Sequence, residues 1–358
     1  MEHKDVLEIK RRLKKESCSI DRVCGCYVNA EKQIVTTFGH TLLNLEDVEF
    51  HKYLEIANKC LSGKIDNNLM ELEFPTEEET NGQNHKLLMG LRSSKLRDEG
   101  LLQAFYEHVI DTYDHVGNYL ILLFHDVYDV PTKTEDNIRL DESEVVYEYL
   151  LGAICPVDLS KPGLGYRVDT EDIGARIRDW VVGTVDTGFL FPAFNDRCAD
   201  IHNVLCYTKN VKEPHAEFWE KGLGCDSRLT STQKRMTFEQ IITGPELDDE
   251  KQDVLLGVQK NLNDYIVEHE AAGESTAAPL NQGVLQQLLE ESGIADNKAA
   301  TIVNHYAEVF KEEKPAANDL LDEKTIKNNE LRIENMKLKE KVAELTKKLN
   351  ELGVSVEE

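Results

Sequence analysis

Two apolar runs, YLILLFHDVYDV at 119–130 and VYEYLLGAICPVDL at 146–159, constrain this 358-residue chain more than any other feature. Each has the length and composition of a strand and ends in an acidic, proline-containing connection, so each is expected to lie in a sheet. With GFLFPAF (188–194) and IHNVLCYT (201–208) they predict a mainly antiparallel sheet. Earlier, Ile20, Cys24, Cys26 and Val28 fall on one side of an extended segment, and Ile34, Phe38 and Leu42 on one side of a second. NAEKQ between them reads as the turn of a hairpin. Val6, Ile9 and Leu13 predict a short amphipathic N-terminal helix, and further helices are expected over 45–62 and 83–115, separated by a loop containing FPTEEETNG. Helices and strands come in blocks, which favours an α+β fold with flanking helices over a doubly wound parallel sheet.

From Lys251 onward no strand pattern remains. Val254, Val258, Leu262, Tyr265, Ile266 and His269 make a helical stripe, AAGESTAAPLN reads as a linker, and a helical hairpin follows with Gly293 near its turn. After KPAAND, Leu331, Leu338, Leu345 and Leu352 recur every seven residues, with Asn328, Asn335, Val342 and Leu349 at the a positions before them. So narrow a seam, flanked by Lys and Glu, suggests a short coiled coil, with a helix lying on the body as the alternative. The expected organisation is an α+β body over 1–245, an all-helical extension over 246–313, and a linker with the C-terminal coiled-coil helix over 314–358.

Charge narrows the function. The formal net charge is −26, while residues 1–17 carry six Lys/Arg against four Asp/Glu and residues 321–352 carry eight against seven. The acidic surplus therefore falls on the body between them, which repels phosphate backbones and argues against general nucleic-acid binding. No apolar run reaches membrane-spanning length, and the charged N-terminal helix lacks the core of a signal peptide, so a cytoplasmic protein that does not enter membranes is expected. Eight scattered cysteines, none in paired CxxC motifs, are expected as free thiols.

Phosphate-cradling and hydrolytic signatures such as GxxxxGK[ST], GxGxxG, HExxH and GxSxG are missing. The stretch GFLFPAFNDRCADIHNVLCYTKN (188–210) concentrates polar chemistry between apolar segments. Read structurally, it is a hairpin: Pro192 puts the first strand at an edge or bulge, Asn195, Asp196 and Asp200 satisfy a turn, and Arg197 is clamped between the aspartates. Read chemically, Asp196, Asp200 and His202 join His125 and Asp126, from the end of an earlier strand, as metal ligands or acid–base groups. Asn195, Asp196 and Arg197 are also the candidate binding loop. The parity of His202 with Val204 and Cys206 predicts a buried ring. Cys24 and Cys26 point to one face and suit either a soft metal or simple burial, and His215, Trp219 and Cys225 are either pocket-lining or core.

CSIDRVCGCYV, LMELEFPT, YDHVGNYLILLFHDVYDVPTKT, YEYLLGAICPVDLSKPGLGY, RIRDWVVG, the 188–210 stretch and LLEESGI together resemble a bacterial family described as a domain of unknown function, family 4317. The resemblance spans roughly residues 1–313, in order. It implies no reaction, cofactor or catalytic residue.

The expected function is a non-enzymatic interaction protein, binding a macromolecular partner, for which a basic protein suits the acidic body, and forming a homodimer through its C-terminal helix without cofactor or metal. The alternative is a metal-assisted hydrolase acting on a phosphate-containing or other anionic substrate. Asparagines at a positions pair best in a parallel, in-register dimer, so sedimentation should show the intact chain as a dimer and a chain ending at Asn318 as a monomer. Replacing Asn328 and Asn335 with Ile should tighten association and admit higher oligomers; a monomeric intact chain at tens of micromolar, a rough working range for so short a seam, would exclude the zipper.

Overall fold

In the computed structural model the two apolar runs lie side by side as antiparallel neighbours, with Leu122 opposite Ala153 and His125 opposite Leu150. The structure describes residues 1–133, 139–244, 251–272, 277–311 and 314–324, together with 326, 327, 338, 341 and 342. Two compact units divide at Thr230 and Ser231.

The first unit runs α1 (His3–Arg12), β1 (Arg22–Val28), β2 (Ile34–Thr41), α2 (Asp47–Cys60), β3 (Leu69–Glu73), α3 (Thr76–Asn81), α4 (Gln83–Ser93), α5 (Glu99–Thr112), β4 (Asn118–Lys133) and β5 (Arg139–Leu159). Then come β6 (Leu164–Arg167), β7 (Asp172–Ala175), β8 (Trp180–Val182), β9 (Thr187–Phe191), β10 (Ala193–Asn195), β11 (Cys198–Asp200) and β12 (Asn203–Thr208). The main sheet has the order β2-β1-β4-β5-β9-β12-β3, with β8 also on β5, and these strands pair antiparallel. The fold is therefore the α+β arrangement expected, a large antiparallel sheet with flanking helices.

Both faces of this sheet are covered. On one, Val6, Ile9 and Leu13 near α1 and Phe50, Leu54 and Ala57 of α2 pack against Leu120, Leu122, Phe124, Leu151 and Ala153. On the other, Leu88 and Leu91 of α4, Phe105 and Val109 of α5, and Phe218 and Trp219 from a π-helical turn pack against Ile121, Leu123, Leu150, Ile154 and Phe189. Burial on both sides explains why the central strands read as continuous apolar runs rather than as alternating ones.

Three local expectations are corrected. FPTEEETNG contains α3, where Glu77, Glu78 and Glu79 occupy a first turn whose exposed N–H groups favour negative charge. Pro192 does not mark an edge strand: β9 is buried throughout between β5 and β12, and the proline follows its last residue, where its missing N–H costs no ladder bond. The β9–β12 pairing is the hairpin anticipated, but its connection folds into a second ribbon, β10–β11.

The second unit contains α6 (Ser231–Ile242), α7 (Lys251–Ala271), α8 (Gln282–Glu291), α9 (Asp296–Val309) and α10 (Ala317–Leu320) around one apolar core. Phe238, Ile241 and Ile242 of α6 belong to that core, so the division falls before α6 and not at 245. The expected helical hairpin is α8–α9; Asn281 caps α8 by accepting from Val284 N at 2.9 Å, and Gly293 follows it with a φ of 84°. Part of the supposed linker is structural: Ala278 and Leu280 are buried, and Ala317 N donates to Ala278 O at 2.9 Å. Gln259, fully buried, donates to Leu320 O and accepts from Asp322 N. A chain ending at Asn318 would thus cut into this core, and the sedimentation comparison is cleaner with an end after Asp322. Of the heptad positions, Leu338 and Val342 are exposed; Asn328, Leu331, Asn335, Leu345, Leu349 and Leu352 lie outside the described residues.

Packing in the sheet is tight where two glycines meet. A Cβ on Gly188 would stand 2.7 Å from Gly152 O and 2.8 Å from Cys60 Sγ, whereas one on Gly163 would meet nothing within 4 Å. Gly188→Ala should therefore destabilise the protein by about 1–3 kcal/mol and Gly163→Ala should not, as read by thermal or denaturant melting. Equal melting of the two variants would show that β9 has room to relax.

Candidate functional site

Side chains alternate along a strand, so neighbours on β4 face opposite ways. Phe124 enters the core under α1 and α2, while Leu123 enters the core under α4 and α5. His125 and Asp126 consequently lie on opposite faces. Both are buried in the body of β4 rather than at its end.

The ring nitrogens of His125 lie 2.7 Å from Asp21 Oδ1 and 2.9 Å from Glu148 Oε1. Asp126 accepts from Tyr149 Oη at 2.5 Å and from its neighbour Val127 N at 2.8 Å, and its Oδ2 lies 3.5 Å from Arg12 Nη2. Burial, and then the adjacent Asp126 carboxylate, push the Tyr149 phenol far above its ordinary pKa, so it is held as a neutral donor. The Arg12 guanidinium sits 3.9 Å over the Tyr128 ring. Tyr128 Oη in turn donates to Glu8 at 2.8 Å.

Glu8 also receives Arg197, whose Nη1 lies 2.8 and 2.7 Å from its two oxygens. Arg197 is therefore not clamped between Asp196 and Asp200; it reaches α1, and its Nη2 donates to Pro131 O at 2.6 Å. Asp196 and Arg197 are the two central residues of the β10–β11 turn, with φ of 48° and 62°. Positive φ at both positions, as in a type I′ turn, suits aspartate but strains arginine. The Glu8 ion pair offsets that strain, and α1 is tied through Glu8 and Arg12 to β4 and the β10–β11 tip.

The remaining candidates belong to other networks. Asp200 accepts from Asn195 Nδ2 and Asn203 Nδ2 at 2.8 Å each and from His202 N at 3.1 Å. Partial burial works to raise its pKa, but these hydrogen bonds win and hold it below the ordinary carboxylate value. His202 is exposed, not buried, and its Nδ1 lies 2.7 Å from Glu79, whose carboxylate raises the imidazole pKa. Val204 and Cys206 are buried as parity requires, but β12 begins at Asn203 and the alternation stops there. Asp196 is exposed at the turn. His125 and Asp126 thus have separate partners, Asp200 and His202 are linked only through the His202 N–H and their other partners differ, and among the described residues no three His, Cys, Asp or Glu side chains are placed to hold a metal ion.

Cys24 and Cys26 share a buried face, where burial raises both thiols, Cys26 to about 12, so neither is a ready thiolate ligand. Trp219 and Cys225 are core residues. His215 differs: its Nε2 lies 2.8 Å from Asp186 Oδ2, which also accepts from Tyr113 Oη at 2.8 Å. Burial opposes the charged ring, yet Asp186 raises its pKa overall, and the His215 hydrogen bond is the main reason the Asp186 carboxyl is lowered. Pattern reading missed Tyr113 and Asp186 because they lie far from His215 in sequence.

It also missed an exposed surface. Across β6, β7 and β8, large apolar side chains face solvent: Leu164 (78% exposed), Tyr166 (61%), Val168, Ile173, Ile177 (79%) and Trp180 (56%). Their neighbours include Lys161, Arg167, Arg176 and Arg178, with Asp169, Glu171, Asp172 and Asp179. Arg167 donates to Ala175 O at 2.9 Å and Arg178 to Ser160 O at 2.6 Å, which stiffens the ribbon without covering it. The signal lay in SKPGLGYRVDTEDIGARIRDW, where apolar residues recur with no helix or long strand to bury them.

A family model described as a domain of unknown function, DUF4317, matches residues 1–351. The match runs through most of the C-terminal heptads, further than the 313 residues over which motifs alone carried the resemblance. No curated protein matches the chain.

If Asp126 ties α1 to the sheet, removing its carboxylate strands Arg12 and the Tyr149 hydroxyl in a buried setting. Asp126→Ala should then cost about 3–5 kcal/mol of stability, measured by denaturant unfolding. A variant as stable as the parent would point instead to a group held at a stability cost, as catalytic residues often are.

Proposed function

The chain belongs to the DUF4317 family, and from that premise we propose that it is a non-enzymatic interaction protein that binds another protein through the arm formed by residues 160–182. The exposed apolar ribbon carries this reading. Contiguous apolar surface is costly to leave in water, and on folded proteins it marks contact sites. Trp, Tyr and Arg, all present here, dominate binding energy at protein interfaces because they bring large buried area with a polar or charged handle. Among the described residues β8 pairs only with β5, and its three residues are exposed, so an extended segment of a partner can add to its other edge.

Charge selects the partner. The arm itself balances four basic against four acidic side chains, whereas the chain as a whole carries −26. An apolar groove with a basic rim would meet the arm at its centre and the acidic body around it. The same negative charge disfavours nucleic acid, and no helix among the described residues is long and apolar enough to cross a membrane. Pairing of two copies through the heptad segment remains part of the proposal and would present two arms on one particle. Metal-assisted hydrolysis gains no support from the placement of His125 and Asp126 on opposite faces of β4, with partners different from those of Asp200 and His202.

Affinity capture from native cells with the parent chain and with a Trp180→Ser, Ile173→Ser variant tests the arm directly. Both side chains are exposed, so the variant should unfold within about 0.5 kcal/mol of the parent. Any partner held by the arm should fall by about tenfold or more, equivalent to the loss of one strong contact. Recovery of the same proteins in equal amounts with both chains would overturn the proposal.

A further inference from the structure

A second feature, independent of the arm, lies where α5 crosses the β1–β2 hairpin. A cavity of about 340 Å³ opens there, lined by Arg22, Cys24, Phe38, Gly39, Leu102 and Tyr106, with Glu99 and Gln103 at its α5 side. Small-molecule sites run from roughly 300 to 1,000 Å³, so this one suits a small metabolite.

Two of its polar atoms have no partner, although the Cys24 thiol interacts with the Arg22 side chain. Arg22 Nε and Tyr106 Oη are both sealed from solvent without a hydrogen-bond partner, and Tyr106 is only 2% exposed. Among the described residues no carboxylate lies within 4.0 Å of the Arg22 guanidinium, although Asp21 beside it in sequence is turned to His125. Buried donors without acceptors cost stability, and a half-buried cation without a counter-charge costs more. Burial also raises the Tyr106 pKa, which keeps the phenol a neutral donor.

Gly39 makes the space. A Cβ at this position would lie 2.9 Å from Arg22 Nη2 and 3.4 Å from Cys24 Sγ, so the guanidinium occupies room that any other residue would take. The cavity thus presents a planar cation and a phenol next to apolar Phe38 and Leu102. Glu99, exposed on the α5 side, adds a negative charge that a multiply charged anion would meet on entry.

We propose that this cavity binds a small carboxylate-bearing molecule, its carboxylate on Arg22 and Tyr106 and its apolar part against Phe38 and Leu102. A planar guanidinium matches a carboxylate with two parallel hydrogen bonds. Glu99 disfavours phosphates and favours a ligand that also carries an ammonium group, which makes free amino acids the best-matched members of the class.

Isothermal titration of the full chain with free amino acids, short mono- and dicarboxylates and sodium phosphate tests the site. At least one carboxylate should bind with a Kd of about 1 mM or tighter, and phosphate should not. Affinity should fall about tenfold or more in Arg22→Gln, in Tyr106→Phe and in Gly39→Ala. Tyr106→Phe is informative even if Arg22→Gln fails to fold: it removes a hydroxyl that no protein atom satisfies, so it should melt no lower than the parent while losing ligand. Failure of every carboxylate to bind, binding unchanged in Tyr106→Phe and Gly39→Ala, or binding of phosphate in place of carboxylates would each overturn the inference.

Discussion

The burial of the β4–β5 pair on both faces is the constraint on which the first unit depends. With helices packed above and below, the side chains of the central segments, 119–126 of β4 and 149–155 of β5 together with Tyr147, must be apolar or must bring their own partners, because they are sealed from water. Leu120, Ile121, Leu122, Leu123 and Phe124 meet the first condition. His125, Asp126, Tyr147 and Tyr149 meet the second: Asp21 and Glu148 flank His125, Arg12 and Tyr149 face Asp126, and Tyr147 donates to Pro192 O at 2.6 Å. The same requirement recruits α1, which supplies Arg12 and Glu8, and a helix with a basic face thereby becomes a structural clasp.

That clasp explains why residues that look chemical are not gathered into a centre. A catalytic site needs groups whose environments push their protonation apart while leaving them free to reach a substrate. Here Asp126 is spent on Arg12 and Tyr149, Arg197 on Glu8, and Asp200 on Asn195 and Asn203. The strained Asp196–Arg197 turn, which by itself suggests a functional loop, is accounted for by the ion pair to α1. Exposed apolar surface on β6–β8 and an Arg22 without a carboxylate partner are among the places where the molecule leaves physical demands unmet within itself, and they are where binding is proposed.

The two units differ in how they meet the same demands. The first joins hairpins of neighbouring strands, β1–β2 and β4–β5, through long-range pairings such as β1 beside β4 and β3 beside β12. The second is a set of neighbouring helices closed by Ala278, Leu280 and Leu320 and by the buried amide of Gln259. α6 belongs with the helices because Phe238 and Ile242 face that core, although nothing in its composition separates it from the residues before it.

Local sequence by itself determined the element types: the strands from 119 and 146 were legible from the length and composition of their apolar runs, and the 22–41 hairpin and the helices from 251 because backbone geometry repeats every two or 3.6 residues. It also determined that Val204 and Cys206 share a buried face. Only the tertiary structure decided where those patterns stop, as at His202, one residue before β12, and at Pro192, one residue after β9. It alone decided partners as well: Arg197 pairs with Glu8 across 189 residues and Tyr113 with Asp186 across 73. The physical reason is common to both. A side chain's face follows from its own neighbours in sequence, but its partner follows from how distant strands and helices are brought together, and no local pattern encodes that.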